Sequence, residues 1–167
     1  DGRATAVLPL MAPTGPNAVK VSFAGSSDLL PSSASSAFTI VKQPTQLAIS
    51  PQPAQGQYSD VVEVSATLTD GLNRALREKT VFLVAGNASP SMTLPSITNY
   101  NGQTVPEPIS LPAGVYPLTA YFMGVIPVGN GATVELDDRL YELSLRNGTL
   151  TIVAENATVT YTGAVAG

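Results

Sequence analysis

In the stretch VVEVSATLT (61–69), Val62, Val64, Ala66 and Leu68 alternate with Glu63, Ser65 and Thr67. Period-two spacing puts apolar side chains on one face of a strand and polar ones on the other, so this segment predicts a half-buried strand. VYPLTAYF (115–122) alternates the same way, with Tyr116, Leu118, Ala120 and Phe122 inward. A helix needs apolar residues every three to four positions, and these stretches lack that spacing. NRALREK (73–79) reads as a solvated loop leading into the strand TVFLVAG (80–86). Turn signals separate the runs at TDGLN (69–73), NYNGQ (99–103), PAGV (112–115), GNGA (129–132) and RNGT (146–149). Because Asn-Gly favours tight hairpin turns, YELSLRNGTLTIV (141–153) is expected to be a hairpin with Asn147-Gly148 at its tip and Leu150 and Ile152 inward.

Part of this pattern occurs twice. Residues 10–25 read LMAPTGPNAVKVSFAG and residues 110–124 read SLPAGVYPLTAYFMG. Gly15 matches Gly114 and Gly25 matches Gly124, both 99 residues apart (114 − 15 and 124 − 25). Val19, Val21 and Phe23 keep the phase of Leu118, Ala120 and Phe122. AFTIVK (37–42) matches TLTIVA (149–154) at an offset of 112 (150 − 38), so the second copy carries about thirteen extra residues between these strands. They fall in an insertion at 125–142. PTQLAIS (44–50) and NATVTYTG (156–163) both resemble an opening strand. The expected organisation is therefore tandem: residues 1–43 as the last three strands of one unit, 44–154 as a complete unit, and 155–167 as the first strand of another. Starting at Asp1 within a strand pattern, the chain is expected to be a piece of something longer.

Composition narrows the chemistry. The 167 residues are 44 % hydrophobic and 12 % charged, with fourteen Gly and fourteen Pro, which suits a packed core of short strands and many turns. A net charge of −4 without a Lys/Arg cluster argues against nucleic acid as a partner. There is no Cys and no His, so a disulfide framework, a thiolate nucleophile and the commonest general base are excluded. No run of 18 apolar residues would insert in a membrane. A catalytic site would have to use Asp, Glu, Tyr and Ser alone, in a chain with 6 % aromatics and no Trp, and no enzyme is expected.

LPAGVYPLTAYFMG, a turn and a strand ending in aromatic-x-Gly, followed by NGTLTIV and ATVTYTG, resembles the bacterial immunoglobulin-like repeats of secreted and surface proteins. The resemblance implies an all-β fold: an immunoglobulin-like β-sandwich, one complete domain plus partial flanking repeats. Seven or so short alternating strands in roughly 100 residues fit such a sandwich. It also implies an extracellular or cell-surface setting and a non-catalytic structural role in a stalk, adhesin or filament, with no cofactor. Neighbouring repeats or copies of the chain are the implied partners. The alternative is a binding module that contacts a glycan or protein receptor through the insertion 125–142. Gly114, Tyr116, Phe122, Gly124 and Phe23 are the expected structural positions, with Tyr116 placed for a tyrosine corner or for the core.

Three further sets of residues carry candidate chemistry. Glu135, Asp137 and Asp138, with Glu142 nearby, are candidate calcium ligands set against a solvated hairpin tip, where Arg139 would oppose a cation. Lys20, Lys42 and Lys79 are candidates for an isopeptide crosslink, although Lys20 falls on the polar face of its strand. Asn87, Asn147 and Asn156 satisfy the Asn-x-Ser/Thr glycosylation pattern. Finally, Val19, Val21, Phe23, Phe38 and Ile40 lack a facing sheet within residues 1–43, and burying each is worth about 1.5–3 kcal/mol. That segment is therefore expected to dock on the complete domain or to assemble through exchanged strands.

Overall fold

The computed structural model describes residues 2–10, 12–129, 131–160 and 163. It is all-β, with no helix among the described residues. Strands β1 (Gly15–Phe23) and β2 (Ser32–Ile40) form an antiparallel hairpin. After it come β3 (Thr45–Ser50), β4 (Ala54–Gln57), β5 (Val62–Asp70), β6 (Thr80–Ala85), β7 (Met92–Ile97) and β8 (Glu107–Ile109). The chain continues through β9 (Gly114–Phe122), β10 (Gly124–Gly129), β11 (Ala132–Leu136) and β12 (Ser144–Val153).

Two sheets build the domain after the hairpin. One has the order β4-β12-β9-β6-β7, the other β3-β5-β8. The alternation seen in the sequence sets the layer between them. Val62, Val64, Ala66 and Leu68 from β5 meet Val81, Leu83 and Ala85 from β6, Leu118, Ala120 and Phe122 from β9, and Leu150 and Ile152 from β12 in one buried cluster. A cluster fed by both sheets makes this a β-sandwich. Strand β6 is buried on both faces, since Val84 lies outside that cluster yet is covered. The cover is β10, which lies against β6 and β7; Ile126 is fully buried there, and Thr93 Oγ1 donates to the Pro127 carbonyl at 3.0 Å.

Asn147-Gly148 is not a hairpin tip, contrary to the sequence expectation. It lies inside β12, which pairs with β9 without a break from Ser144↔Phe122 to Ile152↔Gly114. Here Gly148 serves a close approach rather than a turn: a Cβ at this position would sit 2.3 Å from Gln52 Oε1. Thr119 Oγ1 donates to Asn147 Oδ1 at 3.1 Å, so the asparagine makes a cross-strand contact.

The two matching stretches of sequence form antiparallel strand pairs of the same register, β1 with β2 and β9 with β12. Gly15 faces Ile40 and Phe23 faces Ser32; Gly114 faces Ile152 and Phe122 faces Ser144. Their surroundings differ. No residue of β1 or β2 is buried, and Val21, Phe23 and Phe38 are 64 %, 45 % and 36 % exposed, whereas Phe122 is 0 % exposed. The expected docking on the domain is therefore absent for the β1-β2 hairpin, while Lys42 and Gln43 at the end of the 1–43 segment do contact it. The inner face of β3-β5-β8 is already occupied by β9 and β12. Residues 155–160, expected to open a following unit, carry no regular secondary structure, and residues 161, 162 and 164–167 lie outside the described set.

Candidate functional site

The insertion 125–142 is a hairpin with a long return. β10 and β11 turn at 129–132, where Gly129 and Gly131 take φ of +95° and +75°. Asp137 and Asp138 therefore lie at the base of the hairpin and not at its tip. From the base the chain descends along the end of the domain where β3 begins. Lys79, at the entrance to β6, reaches Asp138 Oδ2 at 2.6 Å, with both side chains largely buried. The Lys79 ammonium also lies 4.9 Å from the centre of the Tyr141 ring. Asp138 Oδ1 accepts the backbone N–H of Leu140 at 2.8 Å and of Tyr141 at 3.2 Å. Burial alone would raise the Asp138 carboxyl, but Lys79 and these N–H groups outweigh it and hold the group below its ordinary value.

A second carboxylate organises the neighbouring turn. Asp70, at the end of β5, is 1 % exposed. Its Oδ1 accepts the N–H groups of Leu72 and Arg74, each at 2.9 Å, and Oδ2 accepts Arg74 Nε at 2.7 Å. Burial pushes this carboxyl up, while the Arg74 backbone and guanidinium and the Leu72 N–H pull it further down, so it too lies below the usual value. The Asp-Gly turn at 70–71 was the available sequence signal, because an Asx turn satisfies its own backbone.

The calcium candidates do not converge. Asp137 pairs with Lys42, Asp138 pairs with Lys79, and Glu135 lies on β11; no group of three acidic ligands is assembled among the described residues. Two of the three isopeptide candidates are thus in ion pairs with carboxylates, and Lys20 is exposed on β1. The structural positions fall on one strand: Gly114 opens β9, Tyr116 follows, and Phe122 ends it in the core. Tyr116 hydroxyl donates to the Pro112 carbonyl at 2.9 Å, and its ring lies so near Gly114 that a Cβ there would come within 3.1 Å of the hydroxyl oxygen. Gly124 starts β10 with φ +89°, which turns the chain out of β9 into the insertion. Phe23, the matching position in β1, is not in a core.

At the opposite end of the sandwich lies a groove of about 840 Å³. Loop 86–91, residues 110–112 and the insertion tip form its walls, with Asn87, Ser91, Thr119, Tyr121 and Pro127 among the lining residues. Among the described residues, no charged side chain lines it. Asn87 is exposed on this rim, Asn156 is exposed beyond β12, and Asn147 is exposed on the sheet. Compared with family models, with curated proteins and with solved structures, the chain matches none of them.

Proposed function

We propose that this chain is a non-catalytic structural module, built of immunoglobulin-like repeats, from an extracellular bacterial stalk, adhesin or surface filament. The observation that carries this is where the chain enters and leaves the sandwich. It enters at Thr45, whose hydroxyl is hydrogen-bonded to the Ser144 hydroxyl at 2.8 Å at the start of β12, and leaves at Val153, the other end of the same strand. Ten residues of strand separate the two points, roughly 33 Å at about 3.3 Å per residue. A unit entered and left at opposite ends adds its length to an array. The shared strand-pair register supports a duplication, and the matches extend upstream: Thr5 with Thr104, Pro9 with Pro108 and Pro13 with Pro112 share the 99-residue offset. Five strands facing three, with β12, β9 and β6 adjacent, suits an immunoglobulin-type sandwich.

Two copies of residues 44–154 joined in one chain test the proposal. X-ray scattering should give a maximum dimension greater than that of one copy by roughly 33 Å. A two-copy chain no longer than the single copy would overturn it.

The uncharged groove supports a second reading, a binding module with the insertion tip as one wall. Deleting 128–133 removes that wall but spares Asp138 and the return limb. Loss of adhesion by the folded deletion variant would favour binding; unchanged adhesion would favour the spacer.

A further inference from the structure

We propose that residues 137–142, the return limb of the insertion, form a clamp that fixes the linker between one β-unit and the next. The linker, residues 41–44, leaves β2 and feeds β3. Between them it makes no sheet, yet its backbone is held on both sides. Gln43 N–H donates to the Leu140 carbonyl at 2.7 Å, and the Gln43 carbonyl accepts the Glu142 N–H at 2.8 Å, a two-bond parallel bridge around Tyr141. Lys42 pairs with Asp137, and Thr45 Oγ1 donates to the Glu142 carbonyl at 3.0 Å. From the other side, the Pro44 carbonyl accepts the Gly71 N–H at 2.8 Å, within the turn that Asp70 organises.

A free linker offers its backbone groups to water and swings about its soft dihedrals. This one, together with Thr45, exchanges water for five bonds to four residues drawn from two loops of the domain it enters. The insertion can hold it because its own base is fixed: Lys79 grips Asp138, and Asp138 sets the N–H groups of Leu140 and Tyr141. Force or bending at the linker therefore passes into β6 through Lys79. In the first copy of the repeat, only residues 24–31 separate β1 from β2, so that unit has no matching limb. The insertion's thirteen extra residues, obscure in a plain spacer, thereby gain a role: a stiff junction on the entry side. The clamp depends on the spacer proposal for its purpose, but the two fail separately, one in the order of the linker and the other in the length of an array.

Backbone ¹⁵N relaxation and amide exchange on the 167-residue chain test the clamp. Lys42, Gln43 and Thr45 should show order parameters of about 0.85, as in rigid backbone, and the Gln43 and Glu142 amides should be protected from exchange. Asp138→Ala should drop Lys42 and Gln43 toward about 0.6 or below while β5 and β9 keep their values. Should Asp138→Ala fail to fold, the double variant Lys42→Ala/Asp137→Ala, which alters only side chains reaching the surface, should lower the same two order parameters. Linker residues that are flexible in the unaltered chain, or as rigid in the folded variant as without the change, would overturn the clamp.

Discussion

Phe122 and Phe23 occupy the same place in two antiparallel strand pairs of the same register, and only one is buried, so replacing each by Ala separates position from environment. Phe122 is fully buried in a cluster fed by both sheets. Its removal loses the transfer energy of the ring and leaves a cavity that the flanking β6 and β12 restrict from collapsing, so Phe122→Ala should cost about 3–5 kcal/mol. With a urea slope of about 1–3 kcal/mol per molar, the midpoint should fall by roughly 2 M. Phe23 is 45 % exposed on a hairpin with no buried residue, and Phe23→Ala should move the same transition by no more than about 0.5 kcal/mol. Urea titration followed by circular dichroism measures both. A second step then tests equivalence. Placing a copy of residues 44–103 ahead of Thr5 supplies strands of the β3–β7 type in the phase set by the 99-residue offset. In that longer chain Phe23→Ala should become as destabilising as Phe122→Ala. If Phe23→Ala already costs several kcal/mol in the 167-residue chain, the hairpin has a hidden partner. If Phe23→Ala remains neutral after the graft, the two strand pairs are not interchangeable parts of one sandwich, and the duplication argument fails.

Other outcomes follow from single contacts. Gly148→Ala forces a Cβ into the Gln52 side chain and should lower stability by about 1–3 kcal/mol, with Gln52→Ala in the same molecule restoring most of the loss, as a double-mutant cycle in urea would show. Asp70 and Asp138 have folded-state values below their unfolded ones, so their stabilisation is present above about pH 4 and is lost as pH falls through the depressed values. Melting temperature followed from pH 6 down to pH 2 should therefore drop less steeply in Asp70→Asn than in the unaltered chain, and equal slopes would refute the linkage. Because lysines already neutralise Asp137 and Asp138, excess calcium and excess chelator should leave the melting temperature the same; a rise with calcium would restore the metal reading.

The strands were legible where apolar and polar residues alternate. Val62 to Leu68 and Tyr116 to Phe122 sit on the faces their alternation gives, because a period of two allows one arrangement once one face is buried. Asn147-Gly148 signals a turn in the sequence because Asn-Gly also suits a tight turn, and only the approach of Gln52, 96 residues away (148 − 52), explains the glycine. The acidic run at 135–138 suggested ligands because sequence shows charges of one sign together. The lysines that divide them come from positions 42 and 79, outside any local window. Gln43 and Tyr141 carried no signal at all: the bridge between them uses backbone groups that every residue has. The candidate site was therefore half visible, its carboxylates in the sequence and their partners only in the fold.

The treatment of sheet edges separates the sandwich from the hairpin. An unpaired edge is a template for another strand, and prolines or charges blunt it. In the domain, edge strand β7 contains Pro95, edge strand β8 contains Pro108, and β3 is bracketed by Pro44 and Pro51. β11 is short and carries Glu135. The nine residues of β2, Ser32–Ile40, contain neither proline nor charge. Its counterpart β12 pairs on that side with β4, Leu150 to Ala54 through Val153 to Gln57, in parallel register. The edge left unguarded is thus the one whose counterpart has a partner in the sandwich. Phe38 and Ile40, which match Leu150 and Ile152, stand at the same point of the strand with their apolar face uncovered. A sequence selected to leave this hairpin in water would place a proline or a lysine there. Serines, alanines and a terminal Phe-Thr-Ile fit a strand that is paired on its outer edge and packed on its inner face, as the spacer proposal requires of every unit in an array.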